Sequence, residues 1–114
     1  MVVNEDYTWD DAALGFDALG APARLKLIRA LVRRGHGGLS VGELKQRTGL
    51  AASTLAHHLN LLVSAGLVSQ EKQGRETLNR ANFCQLQALA QFILDQCCAE
   101  AGDNATDPTA GDTQ

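Results

Sequence analysis

Apolar residues between positions 40 and 68 recur at three- and four-residue intervals, which is the spacing of one helix face. Ser40, followed three residues later by Glu43, is a capping-box pattern that predicts a helix beginning directly after Ser40 and ending before Gly49. A second helix is predicted from about residue 51 to residue 65, because its apolar side chains align in one stripe. That stripe consists of Leu55, Leu59, Leu62 and Val63.

The opposite face of this second helix carries short polar side chains and a histidine. They are Ser53, Thr54, His57, Asn60 and Ser64. A short helix, a glycine turn and a longer helix with a polar face form the helix-turn-helix pattern. We therefore expect the second helix to lie in the major groove of double-stranded DNA.

Two amphipathic helices are predicted before this motif. The first spans Trp9 to Leu19 and places Trp9, Ala13, Phe16 and Leu19 on one apolar side. Pro22 suits the first turn of the next helix, predicted for residues 23–34. Its predicted core stripe is Leu25, Ile28, Leu31 and Val32.

A hairpin is predicted after the helix-turn-helix. Residues 67–72 and 76–80 have strand character and flank a turn at 73–75. A hairpin in this position indicates a wing, with Lys72 and Arg75 near its tip, where they can meet phosphate or the minor groove.

A last helix is predicted for residues 83–98, with an apolar face wider than one small domain needs. The predicted fold is therefore mainly α with a β-hairpin wing, a winged helix-turn-helix that forms a homodimer. We expect a flexible segment at 1–8, the domain at 9–98 and a disordered acidic tail at 99–114.

The charge distribution changes the picture that a net charge of −3 suggests. All ten lysines and arginines lie between Arg24 and Arg80, a span that contains only Glu43, Glu71 and Glu76 as acids. This middle segment therefore carries +7 and is flanked by acidic ends. Such a basic segment favours a polyanion partner. It also argues against a winged helix used only for protein contacts.

The chain contains neither a secretory apolar region nor an apolar run of 18 residues, so we expect a cytoplasmic protein without membrane contact. An odd number of cysteines, three, favours reduced thiols over a disulfide framework. We expect no enzyme, because there is no Cys-x-x-Cys motif and because His36, His57 and His58 have no evident catalytic partners.

Three segments resemble the ArsR/SmtB family of dimeric winged-helix repressors. They are residues 18–25 (ALGAPARL), 53–59 (STLAHHL) and 64–68 (SAGLV), within a match over about 12–98. The resemblance implies operator contacts by Ser53, Thr54 and His57. Asn60 shares their face, and Ala56 replaces a serine that many relatives carry. His58 lies closer to the buried stripe, so it is either a packing or relay residue or a further DNA contact.

The resemblance also bears on what the protein senses. The family's Cys-x-Cys arsenic and cadmium site would fall on Ser40 and Gly42, so it is absent here. The zinc sites of the family need His, Asp and Glu, whereas the last helix offers Cys84, Cys97 and Cys98 and no histidine. The ending FILDQCC resembles arsenic-responsive members with a terminal Cys-Cys pair. It implies a repressor that releases its operator when these thiolates bind trivalent arsenic, as arsenite or methylarsenite. Thiol redox or persulfide sensing is the alternative.

The spacing of the three cysteines limits how they can combine. Adjacent side chains diverge by about 100° in an intact helix, so Cys97 and Cys98 chelate together more easily at a frayed end. Cys84 is 13 residues before Cys97, roughly 20 Å along one helix. It can join the pair only across a two-fold axis, from an antiparallel partner helix. Each cysteine can also be a small packing residue.

Overall fold

The structure, a computed structural model, describes residues 6–101. These residues form five α-helices and one three-stranded antiparallel sheet, which confirms the predicted winged helix-turn-helix. The elements are α1 Trp9–Leu19, α2 Pro22–Arg34, β1 Leu39–Ser40, α3 Val41–Thr48, α4 Ala52–Ser64, β2 Val68–Gln73, β3 Glu76–Ala81 and α5 Phe83–Leu94, with a short 3-10 helix at Gly35–Gly37. None of these helices is long and apolar enough to cross a membrane.

The core lies where the five helices and the sheet meet, and most of its buried residues are leucines. The fully buried leucines are Leu27, Leu31, Leu39, Leu44, Leu55, Leu59, Leu62, Leu67 and Leu89. The predicted stripe of α4 is confirmed, whereas that of α2 is partly wrong. Leu27 is buried, while Leu25 is 47% exposed and Val32 43% exposed. The buried arc of α2 is turned toward Leu27, so Leu25 and Val32 fall beyond its edge.

Helix α1 has the predicted bounds but packs through a different face. Its buried residues are Ala12, Gly15 and Ala18. A Cβ at Gly15 would lie 2.7 Å from Leu89 Cδ2, so the missing side chain lets α5 approach α1 closely. On the predicted apolar side, Trp9 is 81% accessible, Phe16 is 38% accessible and Ala13 is exposed. Leu19 is partly buried against the core, as predicted.

Two residues of the segment predicted to be flexible make defined contacts. Thr8 caps α1 by accepting from the Asp11 amide at 3.1 Å, and the Asp11 carboxylate accepts from the Thr8 amide at 3.0 Å. The Tyr7 ring lies edge-on to Phe92, with 6.0 Å between ring centroids. Residues 1–5 lie outside the described part of the chain.

The predicted hairpin is present, with a tighter turn than expected. Gln73 pairs with Glu76, which leaves a two-residue turn of Gly74 and Arg75. Gly74 has φ +62°, a conformation that two-residue hairpin turns require and that glycine adopts without strain. The short strand β1 was not predicted, because two residues carry no periodic signal. It pairs with β3, placing Leu39 opposite Asn79.

Helix α5 ends at Leu94, four residues before the predicted end at 98. Ile93 and Leu94 are 66% and 55% exposed, so the core formed by the described residues does not cover the end of this helix. Successive turns follow instead, in which the Cys97 amide donates to the Leu94 carbonyl at 2.8 Å. Residues 99–101 are exposed, and the rest of the predicted acidic tail, 102–114, lies outside the described residues.

Candidate nucleic-acid interface and thiol pair

The helix-turn-helix is held by local hydrogen bonds, which include the capping box that the sequence predicted. Ser40 Oγ accepts from the Glu43 amide at 3.2 Å, and Glu43 Oε1 accepts from the Ser40 amide at 2.9 Å. This backbone hydrogen bond is the main cause of a lowered Glu43 pKa. Gly49 ends α3 with φ +75°, and Thr48 Oγ1 accepts from the Leu50 amide at 3.3 Å. Helix α3 is therefore capped at its start, and the turn that leads to α4 is held at its α3 end.

The outer face of α4 carries the side chains predicted to meet DNA. Ser53, Thr54, His57 and Asn60 are all exposed, while the leucines on the opposite face are buried. Because the buried stripe fixes the rotation of α4 about its axis, these polar side chains have a defined direction. The arrangement is that of a recognition helix ready to enter a major groove.

His58 departs from this pattern. It is half-buried, and its Nδ1 lies 3.0 Å from Nη1 of Arg24 in α2. Burial is the largest cause of a lowered His58 pKa, followed by the charges of Arg24 and His57. The structure thus places His58 in the inward position that suits packing or relay, whereas its neighbour His57 remains on the exposed face.

The hairpin presents the two basic side chains expected at its tip. Arg75 occupies the turn, and Lys72 lies three residues earlier on β2; both are exposed. Arg80 has a different use, because Nη1 forms a 2.6 Å ion pair with Glu71 and Nε donates to the His36 carbonyl at 2.8 Å. The hydrogen bond from Arg80 also lowers the Glu71 pKa. Arg80 is therefore bound within the subunit, and its positive charge, counted in the basic segment, is partly neutralised by Glu71.

Cys97 and Cys98 lie together just beyond α5. Both are exposed, and their Sγ atoms are 3.5 Å apart. The convergence has a backbone cause, since Gln96 and Cys98 adopt left-handed conformations with φ +64° and +63°. The frayed end anticipated from the sequence is thus present. The hydrogen bond with Cys98 is the main cause of a raised Cys97 pKa.

Cys84 is exposed at the start of α5, at the other end of that helix. In the part of the chain that the structure describes, no three His, Cys, Asp or Glu side chains are placed to hold one metal ion. A single subunit therefore offers a two-thiol site, and the structure does not bring Cys84 to it.

Large apolar side chains are exposed on α1 and α5, two helices that contact each other. They are Trp9, Leu14, Phe16, Ile93 and Leu94, and together they are called the exposed apolar surface of α1 and α5. The Trp9 ring also packs edge-on against Phe92, with 4.9 Å between centroids. Large apolar side chains grouped in this way mark an interaction surface.

Comparisons with known proteins agree with this geometry. Residues 19–71 match a family described as a helix-turn-helix domain. The Biofilm growth-associated repressor of Xylella fastidiosa strain 9a5c is 30% identical over 82 residues, 72% of this chain and 69% of that protein. An ArsR-like transcriptional regulator from Rhodococcus sp. RHA1 superimposes with a TM-score of 0.68 at 31% identity, covering 82% of this chain and 84% of that one.

A third similar protein was solved in solution as a homodimeric winged helix-turn-helix DNA-binding domain. It is Mb0332 from Mycobacterium bovis, with a TM-score of 0.61 and 26% identity over 85% of this chain and 93% of that one. These relatives are named as regulators of transcription and not as enzymes, in agreement with the sequence-based prediction. Together, the arrangement of the elements, the 30–31% identities and the coverage of both chains show that this chain belongs to the ArsR-like family of winged helix-turn-helix transcriptional regulators.

Proposed function

We propose that this protein is a homodimeric repressor that releases its operator DNA when trivalent arsenic, as arsenite or methylarsenite, binds the thiolates of Cys97 and Cys98. Helix α4 and the β2–β3 hairpin bind the DNA. The observation that carries the proposal is the 3.5 Å separation of the two Sγ atoms on an exposed turn directly after α5.

This separation suits chelation of one ion. Two thiolates about 2.3 Å from a shared ion are roughly 3.4–3.8 Å apart for bond angles of about 95–109°. The pair at 3.5 Å therefore needs little movement to hold an ion. Thiolates are soft ligands that favour thiophilic ions over Mg²⁺ or Ca²⁺. Among such ions, trivalent arsenic fits a site built from thiols without histidine.

The number of thiolates separates the two forms of trivalent arsenic. Methylarsenite takes two thiolates, which Cys97 and Cys98 of one chain supply. Arsenite commonly takes three, and in this proposal Cys84 of a second subunit is the third, supplied by an antiparallel α5. Cys84→Ser should then lose the response to arsenite and keep the response to methylarsenite. An unchanged response to both would remove Cys84 from the site.

The affinity for arsenite should change little with pH while the thiols are protonated. Neutral arsenous acid gives up one hydroxide for each thiolate that it gains, and that hydroxide leaves with the thiol proton as water. The neighbouring Cys98 raises the Cys97 pKa, so this thiol is protonated at neutral pH. Cadmium brings no hydroxide, so its affinity should increase by up to about tenfold per pH unit for each proton released. Titrations with arsenite and with cadmium between pH 6.5 and 8.5 measure both slopes, and equal steep slopes for the two would contradict this exchange.

Substitutions at the DNA interface should change either the preference for the operator or the general affinity for DNA. His57→Ala should weaken binding to the operator more than to unrelated duplex, because His57 lies on the outer face of α4. Arg75→Ala should weaken binding to all sequences and reduce the salt slope by about 1. Binding isotherms on an operator selected from random duplex DNA, at several salt concentrations, give both quantities. Arg75→Lys is the control, since it keeps the charge and should keep the slope. Unchanged binding in both alanine variants would contradict this docking.

The homodimer is supported by the exposed apolar surface of α1 and α5 and by the homodimeric state of the relative Mb0332. A two-fold axis through this surface gives each half-site one α4, about 34 Å or one DNA turn apart. The thiol pair directly follows α5, which is part of the proposed dimer interface. An ion bound there can therefore change how the two subunits are oriented. Release requires a coupling free energy of typically 1–3 kcal/mol.

Thiol oxidation is the second candidate function, and the same separation motivates it. The sulfurs would have to approach from 3.5 Å to about 2.05 Å, and the two thiols would pass two electrons and two protons to a peroxide. The raised Cys97 pKa opposes this reaction, because the thiolate is the nucleophile. Operator release by peroxide or a persulfide donor, with no release by arsenite, would favour the redox function.

A further inference from the structure

Arg24 occupies an unusual position between the first helix and the recognition helix. Helix α1 ends at Leu19, so the Ala18 carbonyl is one of the terminal carbonyls that have no amide partner within the helix. Nε of Arg24 donates to it instead. One edge of the guanidinium is thereby tied to the end of α1.

The other end of the same guanidinium reaches α4, where Nη1 lies 3.0 Å from His58 Nδ1. A guanidinium can only donate hydrogen bonds, so Nδ1 must accept. His58 is therefore neutral, with its proton on Nε2, because an imidazolium has no acceptor atom. Arg24 is half-buried, which restricts how far this planar fork can move.

We propose that Arg24 is a positioning residue that transmits the setting of α1 to the recognition helix through the Ala18 carbonyl and His58. The inference rests on the proposed function, since it assigns a route between the thiol site and the DNA. Nε and Nη1 belong to one planar guanidinium, which couples α1 to α4. A shift of the Ala18 carbonyl moves Nε, and Nη1, which holds His58, moves with it. The ring of His57, on the DNA-facing side, has its centroid 5.6 Å from that of His58.

The contacts that lead to Arg24 begin at the thiol pair. Cys97 and Cys98 follow α5, and α5 packs on α1 where Leu89 meets Gly15. Helix α1 ends at the carbonyl that Arg24 holds. A thiol ligand that changes the relation of α5 to α1 can therefore act on α4 through the packing of α1 on α5 and then through the hydrogen bonds of Arg24.

Within the described residues, the charges that act on His58 are those of Arg24 from α2 and His57 from its own helix, and both lower its pKa. Protonation of His58 would place two donors and two positive charges face to face. The stability supplied by the Arg24–His58 contact is therefore complete above the ordinary histidine pKa of about 6.5 and is lost as the pH falls through the lowered value.

The first experiment follows His58 by nuclear magnetic resonance of its ring nitrogens in the full-length protein without ligand. In the wild type we expect the Nε2–H tautomer and a lowered pKa. Arg24→Gln should raise the His58 pKa toward its ordinary value and mix the tautomers. Arg29→Gln, which removes the same charge from the exposed side of the same helix, should change neither. An unchanged His58 in Arg24→Gln would overturn the contact.

The second experiment separates positioning from simple stability. His58→Asn keeps an acceptor near the position of Nδ1, whereas His58→Leu removes it. Relative to the wild type, we expect His58→Leu and Arg24→Lys to bind the selected operator about tenfold more weakly, the size expected for a lost hydrogen bond to a charged donor. His58→Asn should retain most of the affinity, and combining His58→Leu with Arg24→Lys should add little. Circular dichroism confirms folding of each variant.

Equal losses in His58→Asn and His58→Leu, or fully additive effects in the double variant, would overturn the relay. If arsenic fails to release the wild type, the proposed function fails, while these measurements still test Arg24.

Discussion

Replacing both Cys97 and Cys98 with serine is expected to abolish release of the operator by trivalent arsenic. Serine has nearly the shape of cysteine but is not a soft ligand, so the exposed turn keeps its structure and loses the ion. Because both side chains are exposed and far from α4 along the chain, operator affinity should stay within about twofold of the wild type. Fluorescence anisotropy of labelled operator, titrated with arsenite and with methylarsenite, measures both properties in one experiment.

Each single serine variant should also lose the response, since one thiolate cannot chelate. The control is a protein in which Cys84 alone is replaced, because that thiol lies at the opposite end of α5. Methylarsenite should still release this variant. If the double serine variant released DNA with trivalent arsenic as the wild type does, the proposed sensing site would be wrong.

Ile93→Glu is expected to separate the dimer into monomers and to lower operator affinity by about a hundredfold or more. Ile93 is 66% exposed in the single chain, so the substitution should leave the fold of the subunit intact. In the dimer it would bury a carboxylate in an apolar interface, which is strongly unfavourable. Loss of the second half-site removes the gain from bivalent binding, typically 10²–10⁴-fold. Sedimentation equilibrium and anisotropy measure the two effects.

Gln91→Glu is a matched control for this variant. It adds the same charge to the same helix, but two helical positions away, about 200° around the axis from Ile93. It should remain dimeric and bind the operator normally. A dimeric Ile93→Glu protein, or a wild type that is monomeric at micromolar concentration and still binds the operator, would contradict the proposed assembly.

The helix-turn-helix was predictable because its signals are local. Ser40 and Glu43 form their capping box within four residues, and Gly49 ends α3 through its own left-handed conformation. The leucine stripe of α4 fixed which side chains face outward, so Ser53 and His57 were correctly expected to be exposed. None of these features depends on a distant part of the chain.

The parts that the sequence did not predict depend on tertiary packing. A heptad-like pattern in α1 marked Trp9 and Phe16, but the core takes the small residues Ala12 and Gly15, because α5 approaches closely there. Helix α5 ends at Leu94, where Ile93 and Leu94 are left exposed by the other described residues, and a periodic pattern in the sequence cannot reveal this.

The contact between Arg24 and His58 joins residues 34 positions apart, so no local pattern encodes it. A signal was nevertheless present, since the end of α1 at Leu19 leaves the Ala18 carbonyl without a helical partner and a donor must come from elsewhere. For the two thiols, the sequence indicated only that a frayed helix end would let them approach each other. It did not predict the separation of 3.5 Å. That separation depends on the left-handed backbone of Gln96 and Cys98.

The central claim is that trivalent arsenic, held by the thiol pair, releases the operator. The most direct measurement is release of labelled operator from the reduced wild-type protein, titrated in parallel with arsenite, methylarsenite, zinc, cadmium and a persulfide donor. We expect a trivalent arsenical to release the DNA at about one ion per subunit, at concentrations where zinc has no effect. Release by zinc or by the persulfide donor, with the operator still bound in the presence of both arsenicals, would contradict it.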